Sequence, residues 1–226
     1  MRIAKYIANA GVCSRRDAEK LIIEKKVKIN GNLCIKVGTI IKDSDEVKVY
    51  EKIVKNNKIL RLWKLYKPIK YICTTNDPQN RKKVFNLIPK NYPRLISVGR
   101  LDYMSEGLLL FTNNGDFARK LELPSSNYKR IYKVCIKGKI EKDDLNNINK
   151  GITINKIRYK KINISKLNFK NNQTWLLIKL WEGKNREIRN ICNNFKWNII
   201  KLIRIQYGSY KLNDLGIGEI KEIKIQ

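Results

Sequence analysis

The chain of 226 residues contains 49 lysines and arginines against 20 aspartates and glutamates, a formal net charge of +29, and 42% of its residues are hydrophobic. This length and apolar content allow a sizeable core in one large or two smaller domains, and the charge favours a polyanionic partner, with nucleic acid as the first candidate. Histidine is absent, which excludes Ser-His-Asp and Cys-His catalysis and two-histidine metal sites.

The first fifty residues predict a small domain of two helices and a short sheet. Apolar residues at helical spacing predict a first helix, which Gly11 would end. Ser14 then begins a second helix as its N-cap, with Asp17 at the third helical position in a variant of the capping box. Apolar and polar residues alternate at 27–31 and 46–50, which predicts two half-exposed strands.

The second predicted helix and the turn after it form a basic surface of five cations: Arg15, Arg16, Lys20, Lys25 and Lys26. Residues 10–19 and 27–31 resemble the αL-type RNA-binding motif found in a small-ribosomal-subunit protein. The resemblance implies that the five cations bind RNA; the alternative is an ordinary solvated helix face. Lys25-Lys26 stands where the motif often has Gly-Arg, which preserves charge but changes the turn.

Residues 51–58 mix charged and polar side chains and are predicted to be a linker before a second domain, 59–226. In that domain the patterns predict strands at 60–66, 95–98, 108–112, 130–137, 175–181, 197–206 and 218–225 and helical segments at 84–89, 116–122 and 184–192. Residues 141–172 predict a helix followed by weak strands. The predicted fold class is α+β, with a mostly antiparallel mixed sheet and flanking helices.

Two segments of the second domain carry candidate chemistry. Gly99-Arg100-Leu101-Asp102 places a carboxylate at a glycine-flanked turn between two apolar runs, where the arginine can bind phosphate or fix the acid. The alternative is that the Asp102 carboxylate has only a structural role and caps a tight turn. Glu182-Gly183-Lys184-Asn185-Arg186-Glu187-Ile188-Arg189 is a strand-to-helix junction with three cations, which indicates a phosphate or carboxylate site or a generic basic helix start.

Other chemistries lack their usual motifs. The five cysteines are scattered without a Cys-x-x-Cys pair, and neither Gly-x-x-x-x-Gly-Lys nor Gly-x-Gly-x-x-Gly occurs. An anionic membrane is the competing partner, but no apolar run approaches about 18 residues and no signal-peptide pattern is present. We therefore expect a cytoplasmic protein that binds no membrane, metal or small-molecule cofactor, and acts as a monomer.

Four ordered segments of the second domain resemble motifs of one enzyme family: 99–112, 129–134, 182–189 and 202–208. Together with the amino-terminal motif they resemble the pseudouridine synthases of the RsuA/RluB/RluE/RluF type. The resemblance implies a pseudouridine synthase fold behind an αL-type RNA-binding domain, and isomerisation of uridine to pseudouridine in ribosomal RNA without a cofactor. Residues 76–78, 84–85 and 207–208 favour the RluB-like branch, which modifies large-subunit RNA.

The resemblance also implies a role for each site residue. Asp102 is the catalytic nucleophile and Arg189 its ion-pair partner. Tyr132 stacks on the flipped uracil near the proton that leaves carbon five, Ile188 packs beneath the base, and Arg100 fills the gap left in the RNA. Tyr132 and Ile188 can alternatively be ordinary core residues.

Three positions depart from the family pattern: Ser105 replaces a usual Thr, Asn114 a common Asp, and Asn190 a frequent second Arg. None removes a proposed catalytic group, although the change at Asn190 is expected to affect RNA affinity or target choice. The expected partner is ribosomal RNA or a pre-ribosomal particle. The alternative is a non-catalytic RNA-binding or ribosome-assembly protein on a synthase scaffold, which would predict loss of the aspartate or tyrosine; both are present.

Overall fold

A computed structural model describes residues 1–56 and 59–226. The α-helices in these ranges are α1 (Ile3–Asn9), α2 (Arg15–Ile23), α3 (Gly115–Glu122), α4 (Lys142–Asn149) and α5 (Glu187–Asn194). The strands are β1 (Val27–Ile29), β2 (Asn32–Leu33), β3 (Val47–Val49), β4 (Lys52–Ile53), β5 (Leu62–Lys67), β6 (Ile96–Val98), β7 (Glu106–Thr112), β8 (Arg130–Lys137), β9 (Ile152–Ile154), β10 (Ile157–Tyr159), β11 (Asn163–Lys170), β12 (Gln173–Leu180), β13 (Ile199–Tyr207), β14 (Tyr210–Lys211) and β15 (Ile220–Ile223). Short 3-10 helices occupy Val84–Leu87 and Pro124–Ser126.

The amino-terminal unit has the predicted two helices and small sheet. Its strands follow the order β2-β1-β3-β4, and all pairs are antiparallel. Ser14 caps α2 as predicted, because its Oγ accepts a hydrogen bond from the Asp17 backbone N–H at 3.1 Å. The Ser14 hydroxyl also donates to the Asp17 carboxylate at 2.6 Å. The acid therefore bonds the cap side chain rather than the backbone N–H that a capping box would use.

The start of the predicted linker 51–58 forms a short strand. Lys52–Ile53 pairs with β3, and the Val54 N–H donates to the Val47 carbonyl at 2.8 Å. Val54 is buried in the amino-terminal core, whereas Lys52 and Ile53 are both exposed. Asn57 and Lys58, also in the predicted linker, lie outside the described residues. The boundary between the two predicted domains stays a prediction.

Most strands of the second domain join one sheet, as the predicted fold class requires. Within the described ranges this nine-stranded sheet has the order β11-β12-β8-β13-β7-β5-β15, with β14 beside β13 and β6 beside β7. Every pair is antiparallel except β13 with β7, which run parallel. Gly107 permits this parallel contact, since a Cβ there would lie 2.3 Å from the Arg204 carbonyl oxygen.

Different helices pack on the two halves of this sheet, α5 on the half that contains β8 and α3 on the half that contains β7. Ile188 and Ile191 of α5 pack with Val134 of β8 in one core, and Leu121 of α3 packs with Leu110 of β7 in another. The candidate site lies where these halves meet. None of the helices in the described ranges is long and apolar enough to cross a membrane.

Ion pairs link the amino-terminal unit to α3. The Lys5 Nζ lies 2.8 Å from an Asp116 carboxylate oxygen, and an Arg15 guanidinium nitrogen lies 3.6 Å from the other oxygen. Arg15, one of the five predicted RNA-binding cations, therefore also contacts the second domain. The other four cations are exposed.

We predict that Lys25→Gly stabilises the protein. Lys25 follows α2 with a φ of 59°, and the N–H groups of Lys25 and Lys26 donate to the carbonyls of Ile22 and Leu21. This is the helix ending in which glycine is favoured, because a β-carbon in the left-handed region costs about 1 kcal/mol. Urea unfolding of the variant should show a gain of that order. A loss of stability would contradict the assigned turn strain.

Candidate active site

A cavity of about 250 Å³ opens where the β6–β7 loop, β8, β13 and the start of α5 meet. The structure brings seven predicted site residues to its lining: Arg100, Asp102, Tyr132, Lys184, Arg186, Ile188 and Arg189. The five cations of the amino-terminal basic surface lie elsewhere, on α2 and the turn after it, and are exposed. The predicted residues thus separate into a cavity and an exposed surface that does not line it.

Asp102 faces two arginines in this cavity. Its Oδ2 lies 3.3 Å from the Arg189 Nε and 3.6 Å from an Arg186 Nη, and its side chain is 32% exposed. Arg189 is further held by hydrogen bonds from one Nη to the Met104 carbonyl at 2.8 Å and to the Ser105 Oγ at 3.0 Å. The acid is therefore open to solvent on one side and faces fixed positive charge on the other.

Lys67, at the end of β5, holds the Asp102 loop through hydrogen bonds to its backbone carbonyls. The side chain is completely buried, and its Nζ donates to the carbonyls of Pro68 at 2.9 Å, Asp102 at 3.1 Å and Ser105 at 2.7 Å. Burial lowers the pKa of Lys67 to about 8. Lys67 was not among the predicted site residues, although a lysine before a proline at the end of an apolar strand could have indicated it.

Tyr132 and Ile188 belong to both the cavity and the core. Their exposed fractions are 9% and 6%, and both pack in the cluster that contains α5. Tyr132 is paired across the sheet with Ile178 on one side and Arg204 on the other. The core interpretation and the substrate-binding interpretation are therefore compatible, because each side chain is buried on one side and lines the cavity on the other.

The junction before α5 differs from the predicted helix at 184–192. The helix begins at Glu187, because Arg186 adopts a left-handed φ of 51°. The buried Glu187 carboxylate accepts the N–H groups of Gly183 at 3.0 Å and Lys184 at 2.9 Å, while burial raises the pKa of Glu187. These two N–H groups bind the protein's own carboxylate rather than standing free for a phosphate.

Lys184 itself is engaged within this junction. Its Nζ lies 3.0 Å from a Glu182 carboxylate oxygen and also donates to the Arg158 carbonyl. Arg186, with a half-exposed side chain, is therefore the more accessible cation at the cavity opening.

The three departures from the family pattern have local partners. Ser105 accepts the hydrogen bond from Arg189. Asn114 caps α3, since its Oδ1 accepts the N–H groups of Asp116 at 3.0 Å and Phe117 at 2.9 Å. The Asn190 amide donates to the Tyr159 hydroxyl at 3.0 Å. Each replacement residue thus makes a defined contact of its own.

Two buried arginines of the cavity lining, Arg130 and Arg204, lie in the motif segments 129–134 and 202–208 but were given no role in the predicted site. Arg130 begins a predicted strand after Lys129, and Arg204 follows Ile203 within another, so neither was expected to be buried. In the described parts of the chain no group of three or more acidic or cysteine side chains is placed to hold a metal ion.

Comparisons with known proteins match both parts of the chain to known families. Residues 61–194 match the family model described as RNA pseudouridylate synthase, and residues 1–47 match the S4 domain. An RNA pseudouridine synthase of Rickettsia typhi (strain ATCC VR-144 / Wilmington) is 46% identical over 222 residues, which cover 98% of this chain and 91% of the relative. Ribosomal large subunit pseudouridine synthase B of Bacillus subtilis (strain 168) is 36% identical over 226 residues, covering 98% and 91%.

A crystal structure of a pseudouridylate synthase matches with a TM-score of 0.69 and 21% identity, covering 99% of this chain and 96% of that chain. That likeness confirms the predicted pseudouridine synthase fold. With the family match and the close relatives, it also confirms the predicted family. The chain therefore belongs to the RNA pseudouridylate synthase family, whose members are isomerases.

Proposed function

We propose that this protein converts uridine to pseudouridine in ribosomal RNA, with large-subunit RNA as the favoured substrate and Asp102 as the nucleophile. The observation that carries the proposal is the Asp102 carboxylate in a cavity, 3.3 Å from Arg189 and beside Tyr132. The substrate assignment is supported by the relatives named ribosomal large subunit pseudouridine synthase B.

The reaction needs only groups in this cavity. The Asp102 carboxylate attacks either the anomeric carbon of the ribose or carbon six of the base, and the bond between the ribose and N1 of the uracil breaks. The uracil turns and joins the ribose through carbon five. That carbon then loses its proton beside Tyr132, N1 gains one, and the carboxylate is released. The product is an isomer of the substrate, so the reaction consumes no oxidant, reductant or group donor, and none of these steps uses a cofactor.

The target uridine must leave its stack to reach Asp102. Unstacking costs on the order of a few kcal/mol, which an aromatic platform and an inserted side chain offset. We assign Tyr132 and Ile188, which are buried and line the cavity, to the wall that holds the base, and the exposed Arg100 to the gap left in the RNA. Arg186 and Lys184 at the opening are assigned to the substrate backbone.

We assign the amino-terminal basic surface to RNA docking, with the domain boundary near 51–58. Replacing Arg16, Lys20 and Lys26 together by glutamine is expected to weaken RNA binding and to flatten its salt dependence by roughly 0.7 to 0.9 log units of slope per lost phosphate contact. Turnover at saturating RNA should persist, because these cations lie outside the cavity. Affinity measured across a salt series tests this.

The matched control replaces three exposed lysines of the carboxy-terminal segment: Lys211, Lys221 and Lys224. This variant has the same change in net charge and should keep most of the slope. Equal slopes for the two triple variants would show that the effect comes from overall charge rather than from the amino-terminal surface.

Two measurements test the proposed function. Pseudouridine is mapped in ribosomal RNA from cells with and without the protein, and one or more large-subunit positions should lose the modification. Purified protein treated with chelator is then mixed with a stem-loop of that sequence whose folding is verified independently, and conversion is expected without metal or nucleotide. No missing pseudouridine in cells and no conversion in vitro would favour a non-catalytic RNA-binding protein instead.

A further inference from the structure

Arg204 is a buried cation with no role in the reaction steps proposed above. It lies on β13, is 2% exposed and lines the cavity of Asp102. Its Nε donates to the Leu108 carbonyl at 2.7 Å, while its buried Nη2 has no hydrogen-bond partner among the residues that the structure describes. Arg204 also takes part in none of the ion pairs formed within residues 1–56 and 59–226.

Arg130 provides a comparison within the same cavity. Both guanidinium groups lie over the Tyr207 ring, Arg130 at 4.8 Å and Arg204 at 5.2 Å from its centroid. Arg130 donates to the carbonyls of Trp181 at 3.0 Å and Glu182 at 2.5 Å and to the Tyr207 hydroxyl at 3.0 Å. Packing and hydrogen bonds within the protein therefore account for Arg130, but leave Arg204 with an unused donor.

An unused donor on a buried charge is costly, because the group loses its water without gaining an acceptor. Such a cost is commonly retained where a ligand supplies the missing acceptor. Since Arg204 lines the cavity, the acceptor is expected to come from the substrate.

The position of Arg204 indicates which part of the substrate it meets. Arg204 is paired with Tyr132 across β8 and β13, so the two side chains lie on the same face with Cβ atoms roughly 5 Å apart. On its other side the backbone of Gly107 approaches closely. Arg204 is thus deep beside the wall assigned to the base, whereas Arg100 and Arg186 are exposed at the opening, where phosphates pass.

We propose that Arg204 donates a hydrogen bond to a carbonyl oxygen of the target uracil and stabilises negative charge that develops there. The inference rests on the proposed function. If Asp102 attacks the anomeric carbon, the bond to N1 breaks and its electron pair leaves with the uracil, whose charge is shared by O2 and O4. If Asp102 attacks carbon six, the electron pair of the double bond between carbons five and six moves to an enolate at O4. A fixed guanidinium stabilises either anion without transferring a proton.

The test combines enzyme variants with single-atom changes in the substrate. Stem-loops with uridine, 2-thiouridine or 4-thiouridine at the target are converted under single-turnover conditions by the wild type and by Arg204→Gln. With uridine, Arg204→Gln is expected to react about 10²- to 10³-fold more slowly, as for loss of one donor to a developing oxyanion, with RNA affinity changed only a few-fold. One sulfur substitution should slow the wild type but have little further effect on Arg204→Gln.

Arg130→Gln is the matched control, because it removes the other buried guanidinium over Tyr207. Whatever its rate with uridine, Arg130→Gln should be slowed by the sulfur substitution as much as the wild type is. A packing defect would slow conversion of the uridine and thio-substituted RNAs by the same factor. If a thermal melt shows that Arg204→Gln is unfolded, Arg204→Met replaces it, because methionine fills the site without a donor, and the same loss of sulfur sensitivity is expected.

Equal sulfur effects in the wild type and the Arg204 variant, for both thio-substituted RNAs, would overturn the proposal. Failure of the wild type to convert the uridine stem-loop contradicts the proposed function instead, so the two failures are distinguishable.

Discussion

Asp102→Asn is expected to abolish pseudouridine formation while leaving RNA affinity within a few-fold of the wild type. The amide keeps the size and shape of the carboxylate but is not a nucleophile, so the covalent step cannot begin. The substitution also removes a negative charge that repels the RNA backbone. This gain in affinity opposes any loss from the altered contacts with Arg189 and Arg186. The measurement is single-turnover conversion with excess enzyme, beside a binding titration with the same RNA.

Asp214→Asn is the control for this variant. Asp214 is exposed and does not line the cavity, so the substitution makes the same charge change without touching the proposed chemistry. It should convert RNA at close to the wild-type rate. Substantial conversion by folded Asp102→Asn would assign the nucleophile to another group.

Lys67→Met is expected to slow conversion about 100-fold, because the carbonyls of Asp102 and Ser105 lose the ammonium that holds their loop. Misplacement of a reacting group by about 1 Å is sufficient for an effect of that size. RNA affinity should change much less, since Lys67 is completely buried and cannot contact the backbone of the RNA. Rates and affinities are measured as for Asp102→Asn.

The same variant predicts a pH dependence of stability. The folded pKa of Lys67 is about 8, below the usual 10.5, so between these values the unfolded chain binds the extra proton and the folded protein does not. The unfolding free energy of the wild type should therefore rise relative to Lys67→Met from about pH 8 to about pH 10.5, by at most about 3 kcal/mol. Below pH 8 the difference should be constant.

Lys64→Met is the matched control on the same strand. The Lys64 Nζ also donates to carbonyls, those of Lys211 and Leu212, but it does not contact the Asp102 loop. This variant should keep the wild-type rate within a few-fold. If Lys64→Met slows conversion as much as Lys67→Met, general weakening of β5 would replace loop support as the explanation.

Local chemistry was sufficient to predict much of this molecule. Alternating residues predicted most strands, and Ser14 was correctly predicted to cap α2 because its side-chain oxygen can accept a free N–H of the first turn. The helix predicted at 116–122 is α3. The glycine-flanked turn with Asp102 and the basic junction before α5 were also visible as patterns. These features depend on neighbours within a few residues, so sequence alone contains the information.

Contacts between residues far apart in the chain could not be predicted from the sequence, because they depend on which strands pair. Lys67 and Ser105 are separated by 38 residues along the chain, yet their bond holds the Asp102 loop. Gly107 and Arg204 come together only because β7 and β13 pair in parallel, and no local pattern specifies which strands become neighbours.

The sequence by itself therefore determined the family, most of the helices and strands, and the identity of the candidate nucleophile, because these are encoded in short local patterns and ordered motifs. Only the tertiary structure decided which cations face Asp102, which are used by the protein's own carbonyls and which retain a free donor. Burial and hydrogen bonding are properties of the assembled sheet. A buried lysine such as Lys67 looks in the sequence like any other basic residue of a chain that has 49 of them, and no sequence pattern shows that Arg204 has an unused donor.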